Sequence, residues 1–104
     1  MENRVKILIA DGNEEFCEHL SRTLKERSVF DVTGVAHDGE TAVQLLERER
    51  PDVLVLDLML ARLDGLSVLR RAQELEKPPL ALVLSGYMTE YVSVRAAELG
   101  VQYF

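Results

Sequence analysis

Cysteine occurs once in this sequence, at Cys17, so no intrachain disulfide can staple the fold. No apolar run approaches the ~20 residues a helix needs to cross a bilayer. The opening MENRVKILIAD has a short apolar run closed by an acid, unlike a signal peptide. A cytoplasmic protein with no membrane partner is the expectation. Bases are outnumbered, 12 against 18 acids, and the net charge of −6 argues against a face that grips a nucleic-acid backbone. The same imbalance suits a basic partner, or a site that concentrates a cation. Repeats, linkers and low-complexity segments are missing as well. No glycine-rich phosphate loop follows the first apolar run, which disfavours a small cofactor-binding enzyme. Neither His19 nor His37 has a second His or Cys at metal spacing, so both read as surface residues.

What is there is an ordinary globular composition. The 104 residues are 47% apolar and 29% charged, enough for one domain with a single core. Val5–Ala10 is apolar except for Lys6 and rich in β-branched residues, and it is predicted as a strand that ends at Asp11-Gly12-Asn13. Asn13 can cap a helix whose Phe16, Leu20 and Leu24 recur at i, i+4 and i+8. Cys17 sits in that helical pattern and reads as a small packing residue. A second strand over Asp31–Ala36, the turn His37-Asp38-Gly39 and a helix over Glu40–Glu49 follow. Pro51 then opens the central stretch, PDVLVLDLMLARLDG. Five of the six residues Val53–Leu58 are apolar, as in a strand buried on both faces. The sixth is Asp57.

Asp64-Gly65 reads as the entry to a third helix running to about Glu76, and Lys77-Pro78-Pro79 breaks it. Leu80–Leu84 is a fourth buried strand. Thr89 can cap a fourth helix, Gly100 stops it, and Val101–Phe104 begins a fifth strand. Short buried strands alternating with helices predict an α/β fold, a doubly wound, flavodoxin-like parallel sheet of order 2-1-3-4-5. Such a domain normally closes with a helix after its fifth strand. Without that helix, apolar surface beside the first and fifth strands is expected to be uncovered.

A carboxylate inside a buried strand is unexpected as packing, because ionised carboxylates are rarely buried without a partner. At the C-terminal rim of an open α/β sheet it suits a ligand crevice. The alternative is a strand-end acid that caps its own loop. In the order 2-1-3-4-5, Asp11 and Ser85 flank Asp57. Two carboxylates and a hydroxyl suit a hard divalent cation such as Mg²⁺, and a carboxylate beside such a cation can attack a phosphoryl group.

Asp11 after the first strand, Asp57 at the end of PDVLVLDL, Asp64-Gly65, and Ser85-Gly86 after the fourth strand resemble the receiver domain of bacterial two-component response regulators. The resemblance spans residues 1–104. Within that family, GVAHDGETA, PDVLVLDLMLARLDGLSVL and AAELGVQYF are most similar to receivers that control sporulation in endospore-forming bacilli. The resemblance implies that Asp57 accepts a phosphoryl group from a histidine kinase or phosphotransferase, with Mg²⁺ required. It implies that Asp11 holds metal-bound water, that Asp57 and the backbone carbonyl of Met59 serve the metal, and that Ser85 and Phe104 take the switch positions. It further implies a partner face on the fourth helix and fifth strand, with Tyr87, Tyr91 and Tyr103, through which a homodimer could form. DNA would be reached only through an effector domain that this chain does not include.

Three departures stand out. The family usually carries two acids after the first strand, and here the second is Gly12, which implies weak Mg²⁺ binding. Leu60-Ala61 replaces the common Met-Pro, so the loop lacks a ring that fixes the backbone and is expected to move. The family's strand-five lysine falls just past Phe104, which implies a poor phosphoryl acceptor. Gly12 therefore keeps open a second reading, a pseudo-receiver that serves as an interaction module without Mg²⁺-driven phosphorylation.

Overall fold

The computed structural model describes residues 4–84. Seven elements alternate in this stretch: β1 (Val5–Ala10), α1 (Glu14–Lys25), β2 (Phe30–Ala36), α2 (Gly39–Glu49), β3 (Val53–Asp57), α3 (Gly65–Gln73) and β4 (Leu80–Leu84). The four strands form one parallel sheet in the order β2-β1-β3-β4. That is the expected order as far as the description runs. The fourth helix, the fifth strand and the residues Ser85, Tyr87, Tyr91, Tyr103 and Phe104 lie outside the described residues.

Alternation along each strand divides the core into two layers. Leu8, Ala10, Leu54, Leu56, Ala81 and Val83 face α2 and α3, where they meet Ala42, Leu45, Leu46, Val68, Leu69 and Ala72. Ile7, Ile9 and Val55 face the other way and pack with Cys17, Leu20 and Leu24 of α1. Cys17 is buried there, in the packing role expected of it. Beside α1 the described residues also form an apolar cleft of about 300 Å³, lined by Leu20, Leu24, Val55, Leu82 and others.

Each helix among the described residues starts at a side-chain cap. Asn13 accepts from the Phe16 N–H at 3.0 Å, Asp38 from Thr41 at 2.8 Å and Asp64 from Ser67 at 3.0 Å. These bonds satisfy amides that have no partner within the helix. Asp64 is thus the helix entry, as its position predicts. The third helix is shorter than its pattern suggests. Glu74 closes it before Glu76, because its N–H already turns back to the carbonyls of Arg71 and Ala72.

Candidate functional site

Ala10 of β1 is partnered with Leu56 of β3, so the next residues, Asp11 and Asp57, stand level on adjacent strands. They also share a face. Ile7, Ile9 and Asp11 alternate in step with Val53, Val55 and Asp57, on the side of the sheet that α1 covers. Neighbouring strands lie about 4.8 Å apart, which sets the two acids side by side at the C-terminal rim. On its other side Asp57 is partnered with Leu84. Ser85, expected to complete the group, lies just outside the described residues.

Asp11 is the one buried charged side chain among the described residues, at 8% exposure. Its Oδ1 accepts the Asn13 N–H at 2.8 Å. Its own N–H donates to the Ala36 carbonyl at 2.9 Å, extending the β1–β2 ladder by one bond. Its carbonyl oxygen accepts from His37 Nδ1 at 3.0 Å and from Cys17 Sγ at 3.3 Å. Asp57 is half-buried, and its Oδ1 accepts the Met59 N–H at 2.9 Å. Each acid therefore spends one oxygen on its own loop. The ion pairs among the described residues are Arg22–Glu18, Arg48–Glu49 and Arg62–Glu40, so no base neutralises either acid there. Two carboxylates at one rim, with no base beside them among the described residues, make a local negative field.

The loop after Asp57 is pinned from both sides. Leu58 and Leu60 are buried in the α2–α3 layer. The Gly65 N–H donates to the Leu58 carbonyl at 3.1 Å and the Gly39 N–H to the Ala61 carbonyl at 3.0 Å. Met59 itself is 73% exposed, and its carbonyl takes no hydrogen bond among the described residues, which leaves it available to a ligand.

Gly12 is exposed, and a Cβ built on it would have the His37 carbonyl oxygen, 3.6 Å away, as its nearest neighbour. A side chain fits there, so packing does not demand glycine. Electrostatics shifts two neighbouring groups. Burial, reinforced by the Asp11 charge, pushes the Cys17 thiol up. The Thr41 N–H, with a smaller contribution from Arg62, holds Asp38 below the ordinary carboxylate value.

The donors match Mg²⁺ in kind, since that ion takes hard oxygens, often only one or two carboxylates, and keeps several waters. They are few. No cluster of three His, Cys, Asp or Glu side chains able to hold a metal occurs among the described residues. The sequence had pointed to Asp11, Asp57 and Met59 but not to His37, which read only as a turn residue. Its contact crosses from one strand end to another, and no local spacing signals that. The Asp38 cap has a local signal, since an Asp just before a helical pattern is the ordinary sign of one.

Comparison with known proteins bears on the family and the fold. The family model for the response regulator receiver domain matches residues 7–104. The signal receiver domain of the response regulator NarL from Mycobacterium tuberculosis is 27% identical, with a TM-score of 0.89 over 99% of this chain and 83% of that one. The receiver domain of AraT, a response regulator from Geobacillus stearothermophilus, is 31% identical, with a TM-score of 0.84 over 95% and 78% of the two chains. The CheX-CheY-BeF3-Mg+2 complex from Borrelia burgdorferi, 21% identical, matches in fold with a TM-score of 0.86 over 98% of this chain and 76% of that one. No helix among the described residues is long and apolar enough to cross a membrane.

Proposed function

The chain belongs to the response regulator receiver family, and from that premise we propose that it is a phosphoryl-accepting switch with Asp57 as the acceptor. The observation that carries the reading is the level placement of Asp11 and Asp57 on adjacent strand ends, with no base beside them among the described residues. A histidine kinase or phosphotransferase would present a phosphohistidine to this rim. A carboxylate oxygen of Asp57 attacks phosphorus as the P–N bond breaks. The bonding pair stays on the imidazole nitrogen of the donor, whose other ring nitrogen carries a proton before and after the transfer, so the ring leaves without becoming an anion. The product is an acyl phosphate on Asp57 and a neutral imidazole.

Asp11, Asp57 and the Met59 carbonyl would hold Mg²⁺. When bound, the ion neutralises charge between the carboxylates and the incoming phosphoryl group. The hydrogen bond from the Met59 N–H fixes one oxygen of Asp57 and leaves the other for the attack. The Asn13 N–H orients Asp11 in the same way. Gly12 supplies no carboxylate where the family usually has one, and the ion is held weakly for that reason. The downstream reading is transcriptional control, with sporulation suggested by the three similar stretches. Ser85 and Phe104 would report the phosphate to Tyr87, Tyr91 and Tyr103, and a homodimer would form on that face.

The test is incubation with acetyl phosphate or a phosphohistidine donor in Mg²⁺, read by intact mass. One added phosphate is expected, absent from Asp57→Asn and absent in chelator. Gly12 is the specific observation behind a second reading, the pseudo-receiver. No Asp57-dependent phosphate from either donor would favour it.

A further inference from the structure

We propose that His37 is a positioning residue for Asp11, an inference that goes beyond the proposed Mg²⁺ site but rests on it for its functional consequence. The β1–β2 ladder pairs Ala10 with Ala36, and the Asp11 N–H still finds the Ala36 carbonyl at 2.9 Å. In a longer parallel ladder, the backbone N–H of Asp38 would next donate to the Asp11 carbonyl. The chain turns away first, because Asp38 is already the cap of α2. His37 Nδ1, at 3.0 Å from the same carbonyl oxygen, takes the place of that missing donor. A carbonyl only accepts, so Nδ1 must carry the proton.

The consequence is rigidity at the residue that needs it. Asp11 lies just past the end of its strand, and two groups from other elements, His37 Nδ1 and Cys17 Sγ, converge on its carbonyl oxygen. With Gly12 contributing no ligand, the weight of the site falls on Asp11 and Asp57. Holding Asp11 in advance lowers the ordering that cation binding must impose. His37 is itself exposed, so its ring is not needed to fill the core.

The test compares the full chain with His37→Asn, which keeps an N–H at the place of Nδ1, and with His37→Ala and His37→Phe, which do not. Nitrogen NMR of the neutral His37 ring should show Nδ1 protonated and Nε2 bare, and the opposite tautomer overturns the proposal. Amide exchange at Asn13, whose N–H is held by Asp11, should quicken roughly three- to tenfold in His37→Ala and His37→Phe, the scale of one lost hydrogen bond. It should stay near the parent rate in His37→Asn. The Mg²⁺ dissociation constant from calorimetry should rise by a similar factor in the same two variants. Equal exchange rates in all four proteins overturn the proposal, as does a parent that binds Mg²⁺ no better than His37→Ala. A parent that binds no Mg²⁺ at all removes the metal reading of the preceding section, and the NMR and exchange results then decide the role of His37 by themselves.

Discussion

The backbone N–H of Gly39, the first residue of α2, donates to the carbonyl of Ala61 in the loop after Asp57 at 3.0 Å. Nothing larger than hydrogen fits on the Gly39 Cα, since a Cβ there would stand 1.8 Å from the Leu63 carbonyl oxygen. The loop and the helix start are locked by that contact. Gly39→Ala must push the loop away, and it should lower stability by about 1–3 kcal/mol. Urea unfolding checks this, and an unchanged midpoint would contradict it. The displaced loop carries Met59, so the variant should also take up phosphate on Asp57 more slowly than the parent.

Asp38 gives stability a pH dependence of known sign. Its folded pKa lies below the ordinary 3.8, chiefly because the carboxylate accepts the Thr41 N–H. The charged form is therefore favoured in the native state. The stabilisation is complete above the ordinary value and disappears as pH falls through the depressed one. Asp38→Ala should melt below the parent at pH 7, and the gap should narrow steadily under pH 4. Thermal melts at several pH values measure it. A gap independent of pH would mean that the carboxylate charge contributes nothing at this cap.

Cys17 should be a slow thiol. Burial and the nearby Asp11 charge both oppose its thiolate, and the thiolate is the form that reacts. Iodoacetamide at pH 8 should label the native chain roughly ten times more slowly, or less, than the urea-unfolded chain. Comparable rates would show that the α1 layer opens readily around it.

These predictions draw on features that were unequally legible in the sequence. The strands β1, β3 and β4 announce themselves as apolar runs, because a parallel sheet covered on both faces needs such runs. Asp57 is conspicuous for the same reason, as a charge in a stretch that otherwise tolerates none. The pairing of Asp11 with Asp57 follows once the strand order is known. The clasp at Gly39 does not follow, because it depends on how closely the loop after β3 approaches a helix some twenty residues earlier. His37 escapes in the same way, since its partner is a backbone carbonyl on another strand. The early stop of α3 at Gln73 has a local cause. The apolar repeat continues to Leu75, but the backbone of Glu74 has already bent to bond the last turn.

The sharpest prediction concerns Gly12. An acid is sterically acceptable there, with the nearest atom 3.6 Å from a Cβ, so Gly12→Asp should fold. Without a divalent cation the new carboxylate adds a third negative charge near Asp11 and Asp57, and like charges repel. The variant should therefore melt slightly below the parent in chelator. Mg²⁺ reverses the order. A further charged oxygen should tighten binding by roughly tenfold. A ligand that binds only the folded chain then stabilises it by about 2.7 kcal/mol at one hundred times its dissociation constant. The parent and the variant should consequently cross, the parent melting higher in chelator and the variant higher in millimolar Mg²⁺. Calorimetric titration of both supplies the two affinities directly. If they prove equal, Gly12 is not what weakens the site, and the shortage of ligands would have to be sought elsewhere on the rim. If the parent binds Mg²⁺ tightly by itself, Asp11, Asp57 and the Met59 carbonyl suffice, and the case for a pseudo-receiver loses the one residue that supports it.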